Sequence, residues 1–204
     1  MLRKLIIALF CFISLQLHAE NFVAGKDYVV LNTSANASTD QNKVEVMEFF
    51  SYGCPWCYKL EKPMQEWAEK HADKVVLIRT PVVFHPEWQL YAKAFYTAKL
   101  LGIEKKMTPL LFNAIQEQKK SLKNPEDMIA FFVKNGVEES TARSAFLNSP
   151  TVDLEIKDGM KKMGQYQIQA VPSIVVNGQY KTDLQMAQSV ERFFAILDFL
   201  IKKS

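Results

Sequence analysis

The 204-residue sequence is poor in metal-binding side chains, since it has only three cysteines and three histidines. A structural zinc ion normally takes four protein ligands, so this scarcity argues against a zinc site. The formal net charge of +3 is too small to indicate nucleic-acid binding, and no basic cluster stands out. We therefore expect no metal, no cofactor and no nucleic-acid partner. An apolar content of 49% is enough for the core of one domain with a large insertion.

The first nineteen residues have the pattern of a secretory signal peptide. Arg3 and Lys4 precede an apolar stretch, and Leu17-His18-Ala19 follows it as a cleavage site. The alternative is a membrane anchor, but the stretch is shorter than the roughly 20 apolar residues that a spanning helix needs. The pattern therefore favours a signal peptide over residues 1–19, with cleavage near Ala19 and export of the mature chain.

Cleavage removes Cys11 and leaves the two cysteines of one Cys-x-x-Cys motif, Cys54 and Cys57. A disulfide across so few residues constrains the unfolded chain little. An exported chain with its remaining cysteines in this spacing is therefore predicted to use them for redox chemistry rather than as a structural disulfide. The motif alone leaves two alternatives open, namely half of a zinc site and a pair of incidental core cysteines.

The Cys-x-x-Cys motif stands where a predicted strand meets a predicted helix. Residues 44–50 form an apolar, β-branched and aromatic run, and the glycine-free residues 58–70 predict a helix. Pro55 suits the first helical position, which places Cys54 at the helix N-terminus. Unpaired N–H groups and the helix dipole stabilise an anion there. The pKa of Cys54 is therefore expected to be depressed, making it a nucleophile and a good leaving group, with Cys57 facing the core as the resolving thiol.

The other segments predict a mixed α/β chain. Residues 74–79 read as a second strand, parallel to the first in a βαβ unit. Residues 86–158 carry apolar side chains at intervals of three and four and predict an inserted block of helices, one of them at 109–120. An edge strand is predicted at 28–31, and Pro63 is expected to kink the first helix.

The C-terminal part predicts a hairpin followed by one long helix. Residues 173–176 read as a strand, Asn177-Gly178 as the turn, and residues 179–180 as the return strand. The final helix, expected at 183–202, carries a stripe of apolar residues that should cover the sheet.

This order of elements, with Val171-Pro172 before the terminal hairpin, resembles the thioredoxin fold. Residues 22–28, 48–58 and 171–180, with the helical insertion, are similar to the DsbA family of bacterial periplasmic thiol oxidases. The resemblance implies an α/β thioredoxin fold with a helical domain inserted between the βαβ and ββα halves. Residues 20–85 and 159–204 would form the thioredoxin-like domain, and residues 86–158 the inserted one.

The resemblance also implies roles for individual residues. Cys54 would be the exposed nucleophile and Cys57 its buried partner in a redox-active disulfide. Pro172 would be a cis-proline opposite them, and the backbone of Val171 would bind an extended substrate peptide as an added strand. The alternative for Val171-Pro172 is an ordinary proline at the start of a strand.

Glu48 is an acidic residue within an apolar strand, where a charge is costly to bury unless it is paired or protonated. The family resemblance implies that Glu48 lies beneath the disulfide and assists proton transfer at Cys57. The alternative is that its side chain points to solvent.

The dipeptide between the cysteines, Pro55-Trp56, departs from the Pro-His that is commonest in the family. That histidine helps to stabilise the thiolate, so its replacement by Trp56 predicts a smaller depression of the Cys54 pKa. A large exposed aromatic side chain at this place would also offer apolar contact area to a substrate.

The function implied by the resemblance is the introduction of disulfide bonds into reduced exported proteins, with reoxidation by a membrane partner of the DsbB type. The short segment before residue 44 cannot supply the dimerisation domain of isomerase relatives, which predicts a monomer. Alternatives are a reductase or isomerase, and a Cu(I) carrier in which Met47 or Met64 joins the cysteine pair. Methionines at such positions are more often core residues.

Overall fold

The computed structural model describes residues 21–32 and 43–204. The predicted signal peptide, with Cys11, lies outside the described residues. A five-stranded sheet with the order β1-β5-β4-β2-β3 forms the centre of the described chain. Its strands are β1 Val29–Val30, β2 Val44–Phe50, β3 Val75–Pro81, β4 Ser173–Val176 and β5 Tyr180–Asp183.

The sheet confirms the predicted pairing. Strands β2 and β3 are parallel, and helix α1 (Pro55–Lys70) connects them. Strands β4 and β5 form the antiparallel hairpin. Asn177 and Gly178 both have positive φ, 52° and 64°, as a type I′ turn requires. The short β1 pairs with β5 at the edge of the sheet.

The inserted block between β3 and β4 is helical, as predicted. It contains α2 Trp88–Leu100, α3 Glu104–Phe112, a π-helix Asn113–Glu117, α4 Pro125–Lys134, α5 Glu139–Asn148 and α6 Pro150–Gln165. The helix expected at 109–120 is wrong in its bounds, because Pro109 lies inside α3 and the chain then passes into the π-helix. The three-part domain division stays a prediction, and α6 runs through its boundary at residue 158.

The expected single C-terminal helix is in fact two helices, α7 (Leu184–Ala187) and α8 (Val190–Lys203). Gln188 adopts a left-handed conformation between them, with φ 68°. Asp183 caps α7 and Ser189 caps α8. The second cap begins a new helix and so interrupts what the apolar pattern presented as continuous.

Both faces of the sheet are covered, because successive side chains of a strand point to opposite sides. Val46 packs with α8 through Phe193, Ile196 and Leu197, whereas Met47 and Phe49 pack with Tyr166 and Ile168. Cys54 and Cys57 belong to a third cluster, built mainly by the helical block. The inserted helices therefore supply much of the core around the cysteine pair. Among the described helices none has the length and apolarity to cross a membrane.

Candidate active site

Cys54 is the N-cap residue of α1, and Pro55 follows at the first helical position. The Cys54 Sγ accepts a hydrogen bond from the Cys57 backbone N–H at 3.1 Å. The sulfur therefore satisfies one of the N–H groups that a helix start leaves unpaired. Both cysteines are free thiols, so the structure describes the dithiol form of the pair.

The two thiols have different surroundings. Cys57 is fully buried, as expected, but the expectation of an exposed Cys54 is wrong, since only 5% of the residue is accessible. The segment before β4 covers it, because the Val171 carbonyl oxygen accepts a hydrogen bond from Cys54 Sγ at 3.5 Å. A substrate sulfur must therefore reach Cys54 beside Val171.

The hydrogen bonds around Cys54 favour its thiolate. The Cys57 thiol and the backbone N–H groups of Cys57 and Trp56 lower the pKa of Cys54, while burial and the charge of Glu48 act in the opposite direction. Burial, followed by the neighbouring Cys54, holds the pKa of Cys57 well above its usual range. Cys54 therefore loses its proton first, and Cys57 stays protonated and hydrogen-bonds to the resulting thiolate.

The segment opposite the cysteines turns through a cis peptide bond between Val171 and Pro172. Pro172 is buried, and the Ser173 hydroxyl donates to the Ala170 carbonyl at 2.7 Å across this bend. The bend places the Val171 carbonyl against Cys54. The backbone of Val171 thus lies where an extended chain could run past the reactive sulfur.

A cavity of about 500 Å³ lies beside this bend. Its lining combines the segment before β4 with the α7–α8 region and includes Trp56, Val171, Pro172, Leu184 and Val190. Trp56 is 54% exposed, and Lys59 Nζ lies 4.2 Å from its ring centroid. Position 56, between the two cysteines, therefore presents an exposed apolar side chain to this cavity.

Glu48 is fully buried, so the solvent-facing alternative is wrong. Its Oε2 accepts a hydrogen bond from Arg79 Nε at 2.8 Å, and its Oε1 has no partner in the described ranges. The Glu48 charge acts to raise both thiol pKa values, against the net lowering at Cys54 and in addition to the effect of burial at Cys57. A buried carboxylate oxygen without a partner, electrostatically coupled to both thiols, is a candidate proton acceptor.

Arg79 and Glu61 complete the buried charge cluster, and neither was predicted. Arg79 Nη2 lies 2.6 Å from Glu61 Oε2, and burial raises the pKa of Glu61 against the effect of Arg79. The sequence could have placed Glu61 near the cysteines, because a residue four positions after Cys57 lies on the same face of α1. Arg79 carried only a weak signal, as a strand residue that faces Glu48 in the β2–β3 register.

The two methionines considered as copper ligands lie in other parts of the core. Met47 packs with Phe49 and Tyr166, and Met64 packs with Leu60 and Trp67. The cysteine pair belongs to a different cluster. The structure therefore offers the cysteine pair no methionine from these two positions.

Three comparisons with known proteins agree on one family. The model of the DSBA-like thioredoxin domain matches residues 45–198. The thiol:disulfide interchange protein DsbA of Burkholderia cepacia is 37% identical over 180 residues, covering 88% of this chain and 84% of that protein. The crystal structure of Pseudomonas aeruginosa DsbA superposes with a TM-score of 0.83 at 34% identity, covering 89% of this chain and 94% of the other.

A more distant structure, the oxidoreductase DsbA of Xylella fastidiosa, has a TM-score of 0.81 at 28% identity, with 89% and 96% coverage. The match covers 84–96% of these relatives. Residues 45–198, which the family model matches, contain the cysteine motif, the helical block and the terminal hairpin.

Proposed function

The chain belongs to the DSBA-like thioredoxin family and is a disulfide-forming thiol:disulfide oxidoreductase, and we propose that Cys54 and Cys57 are its redox-active pair. The observation that carries the proposal is the asymmetry of the two thiols. Hydrogen bonds lower the pKa of Cys54 at the helix start, whereas burial raises the pKa of Cys57. A stabilised thiolate on one side makes the dithiol form favourable and the disulfide a good oxidant.

The exchange begins from the Cys54–Cys57 disulfide. A substrate thiolate attacks the sulfur of Cys54, a mixed disulfide forms, and Cys57 leaves as a thiolate that takes up a proton. A second substrate thiolate then attacks the substrate sulfur of the mixed disulfide and releases Cys54 as its stabilised thiolate. Two electrons pass from the substrate dithiol to the protein, and the substrate gains a disulfide.

Glu48 is proposed to handle the proton at Cys57. Cys57 is fully buried, so bulk water does not reach its sulfur freely. The Glu48 carboxylate couples electrostatically to Cys57, and its Oε1 is not engaged by any described residue. A carboxyl group placed there can give a proton to the departing Cys57 sulfur and take it back during reoxidation.

The substrate is proposed to be a reduced, extended segment of an exported protein. Such a segment would lie along Val171 and Pro172 as an added strand. A neighbouring apolar side chain would fill the cavity lined by Trp56 and Leu184. Since unfolded chains expose apolar residues that folded ones bury, this cavity favours incompletely folded substrates.

The proposed setting is the periplasm, with the signal peptide at residues 1–19 cleaved near Ala19. Because each turnover leaves the protein as a dithiol, a continuing activity needs an oxidant. We assign that step to a membrane reoxidase of the DsbB type: the Cys54 thiolate would attack a disulfide of the reoxidase, and Cys57 would then displace the reoxidase sulfur to restore the Cys54–Cys57 disulfide. The protein is expected to act as a monomer.

The test uses the mature chain equilibrated with a glutathione redox series, followed by its ability to oxidise a reduced unfolded protein. A pair that becomes reduced under mildly reducing conditions, together with stoichiometric disulfide donation, is the expected result. Cys54→Ser should abolish donation. In Cys57→Ser, Cys54 first linked to glutathione as a mixed disulfide should exchange with a substrate thiolate, release glutathione and stay linked to the substrate, because no Cys57 thiol remains to displace it. A pair that stays oxidised until strongly reducing conditions would instead support the reductase alternative and overturn the proposal.

A further inference from the structure

The loop that delivers the chain from β2 to Cys54 is held by side chains of the helical block. Tyr52 is 1% exposed, and its hydroxyl is hydrogen-bonded to Thr108 of α3 at 2.9 Å. Gln116 of the π-helix donates from Nε2 to the Tyr52 carbonyl oxygen at 2.6 Å. Trp88 of α2 packs directly on Gly53, where an added Cβ would lie 2.3 Å from the indole Nε1.

The peptide group between Tyr52 and Gly53 is thereby fixed at both ends. Its carbonyl oxygen accepts from Gln116, and its N–H donates to the Ser51 hydroxyl at 3.1 Å. The following N–H, that of Cys54, donates to the Ser51 carbonyl at 3.0 Å. The rotation of this one peptide therefore sets the path by which the chain enters the N-cap position.

The same loop touches both sulfurs of the pair. Cys54 follows it directly, and the Ser51 backbone acts to lower the pKa of Cys57, against the larger raising effect of burial. A change in the loop would therefore alter the hydrogen bonds of both thiols together. Gln116 is half-buried and makes the one side-chain hydrogen bond to the Tyr52 carbonyl that the described residues contain.

The π-helix explains how Gln116 reaches the loop. Residues of an α-helix are spaced by about 100° of rotation, so inserting an extra residue into one turn reorients every side chain that follows. Gln118 N–H bonds to the Asn113 carbonyl at 3.0 Å, which is the i→i−5 bond of a π turn. Such turns are frequent at functional sites, and here the turn carries Gln116 toward the active-site loop.

We infer that Gln116 is a positioning residue for the redox pair: its hydrogen bond to the Tyr52 carbonyl holds the Ser51–Cys54 loop in the shape that stabilises the dithiol form. This inference rests on the proposed function of the Cys54–Cys57 pair. The hydrogen bond between Gln116 and the Tyr52 carbonyl matters most when the cysteines are reduced. In the disulfide form the covalent ring restrains Cys54, whereas in the dithiol form only hydrogen bonds and packing do so.

The variant Gln116→Met keeps the length of the side chain but cannot donate to Tyr52. Loss of this hydrogen bond should destabilise the dithiol form more than the disulfide form. The equilibrium with glutathione should therefore shift toward the disulfide by about two- to tenfold, the effect of one lost hydrogen bond. The midpoint of the Cys54 thiolate titration, followed by absorbance at 240 nm, should rise. The matched control is Gln118→Met, since the exposed Gln118 side chain hydrogen-bonds to Asn113 and, among the described residues, to no group of the active-site loop.

A second variant, Gln116→Glu, separates the hydrogen bond from a general loss of packing. The ionised carboxylate cannot donate to the Tyr52 carbonyl, but the protonated carboxyl can. Relative to the parent, the equilibrium of Gln116→Glu with glutathione should therefore be shifted toward the disulfide at pH 7. This shift should shrink as the pH falls through the carboxyl pKa. Circular dichroism and urea unfolding check that each variant is folded.

The inference is overturned if folded Gln116→Met matches the parent in equilibrium constant and in thiolate midpoint, or if Gln118→Met shifts both as far as Gln116→Met does. It is also overturned if the Gln116→Glu shift does not change with pH. Failure of the proposed function is recognised separately, because it would appear in the parent as a lack of disulfide donation to a reduced protein. The glutathione equilibrium of the Gln116 variants does not depend on that activity.

Discussion

Arg79 holds Glu48 by a single oxygen, with Nε 2.8 Å from Oε2, while Oε1 faces no hydrogen-bond partner in the described part of the chain. A buried acceptor without a partner is costly to keep. The same guanidinium binds Glu61 at 2.6 Å, so one cation serves two buried carboxylates. The arrangement leaves one oxygen of Glu48, whose charge acts on both thiols, without a hydrogen bond from the described residues.

The first prediction concerns Glu48→Gln, which keeps the shape of the side chain and an oxygen for Arg79. We expect disulfide exchange at Cys57 to slow by about tenfold or more, because general acid–base groups typically contribute roughly 10²- to 10⁴-fold. The measurement is the stopped-flow rate of oxidation of a reduced peptide from pH 5 to 8. Glu45→Gln is the control, since Glu45 lies on the same strand and is not among the groups that shift either thiol pKa. Superimposable pH–rate profiles for Glu48→Gln and the parent would remove Glu48 from the mechanism.

The second prediction concerns Arg79→Met, which leaves Glu48 and Glu61 buried without their shared cation. Removing one partner from a buried ion pair costs about 3–5 kcal/mol of unfolding free energy. Urea unfolding measures this loss. The control is Arg143→Met, because Arg143 pairs with exposed Glu126, and surface ion pairs contribute little to stability. Equal effects of the two substitutions would mean that the buried cluster does not support the fold.

This loss of stability should depend on pH. Burial already raises the folded-state pKa of Glu61 above its ordinary value, and without Arg79 that pKa rises further. A group with a raised folded pKa favours the fold at low pH, and this contribution is lost as the pH rises through the folded pKa. The deficit of Arg79→Met should therefore be small near pH 4 and largest near pH 7. A deficit that is constant with pH would contradict the assignment of the carboxyl groups as its cause.

The third prediction concerns the pH dependence of the dithiol form. The folded-state pKa of Cys54 is lowered, so its thiolate stabilises the folded protein above that pKa. The advantage of the parent over Cys54→Ser should grow between the folded pKa and about 8.5, the ordinary thiol value, and disappear below the folded pKa. Urea unfolding under reducing conditions from pH 5 to 8.5 measures it. A difference that stays flat across this range would show that Cys54 is an ordinary thiol.

The strand–helix boundary at the cysteines was predictable because it depends only on residues that are close together in the sequence. The run at 44–50, Pro55 and the glycine-free helix agree with one another, and the structure gives β2 and α1 at those places. The turn at Asn177 and Gly178 was predictable for the same reason, since residue type alone favours positive φ there.

The shielding of Cys54 by Val171 was not predictable, because the two residues are 117 positions apart. The charge cluster depends equally on the register of β2 and β3, which joins Glu48 to Arg79. Sequence periodicity identified the inserted helices but not the π-helix, because the five residues Asn113–Glu117 are too few to show a period of their own. The contact of Gln116 with Tyr52 joins residues 64 positions apart and could be found only in three dimensions.

The last prediction concerns Trp56→His. The open position of Trp56 gives Cys54 a backbone N–H but no cationic side chain of its own. An imidazolium close to a thiolate stabilises the charge, so the substitution should lower the Cys54 pKa further and shift the glutathione equilibrium toward the dithiol. A shift of one pH unit corresponds to about 1.4 kcal/mol, or about tenfold in an equilibrium constant.

The control for that substitution is Trp56→Phe, which keeps an aromatic wall for the cavity and adds no charge. It should leave the thiolate midpoint close to that of the parent, whereas Trp56→His moves it down. The two variants also separate redox poise from substrate contact, because loss of the large apolar side chain in Trp56→His should raise the KM for an apolar peptide while the equilibrium becomes more oxidising. Coincident thiolate midpoints for the two variants would show that the side chain at position 56 does not set the Cys54 pKa.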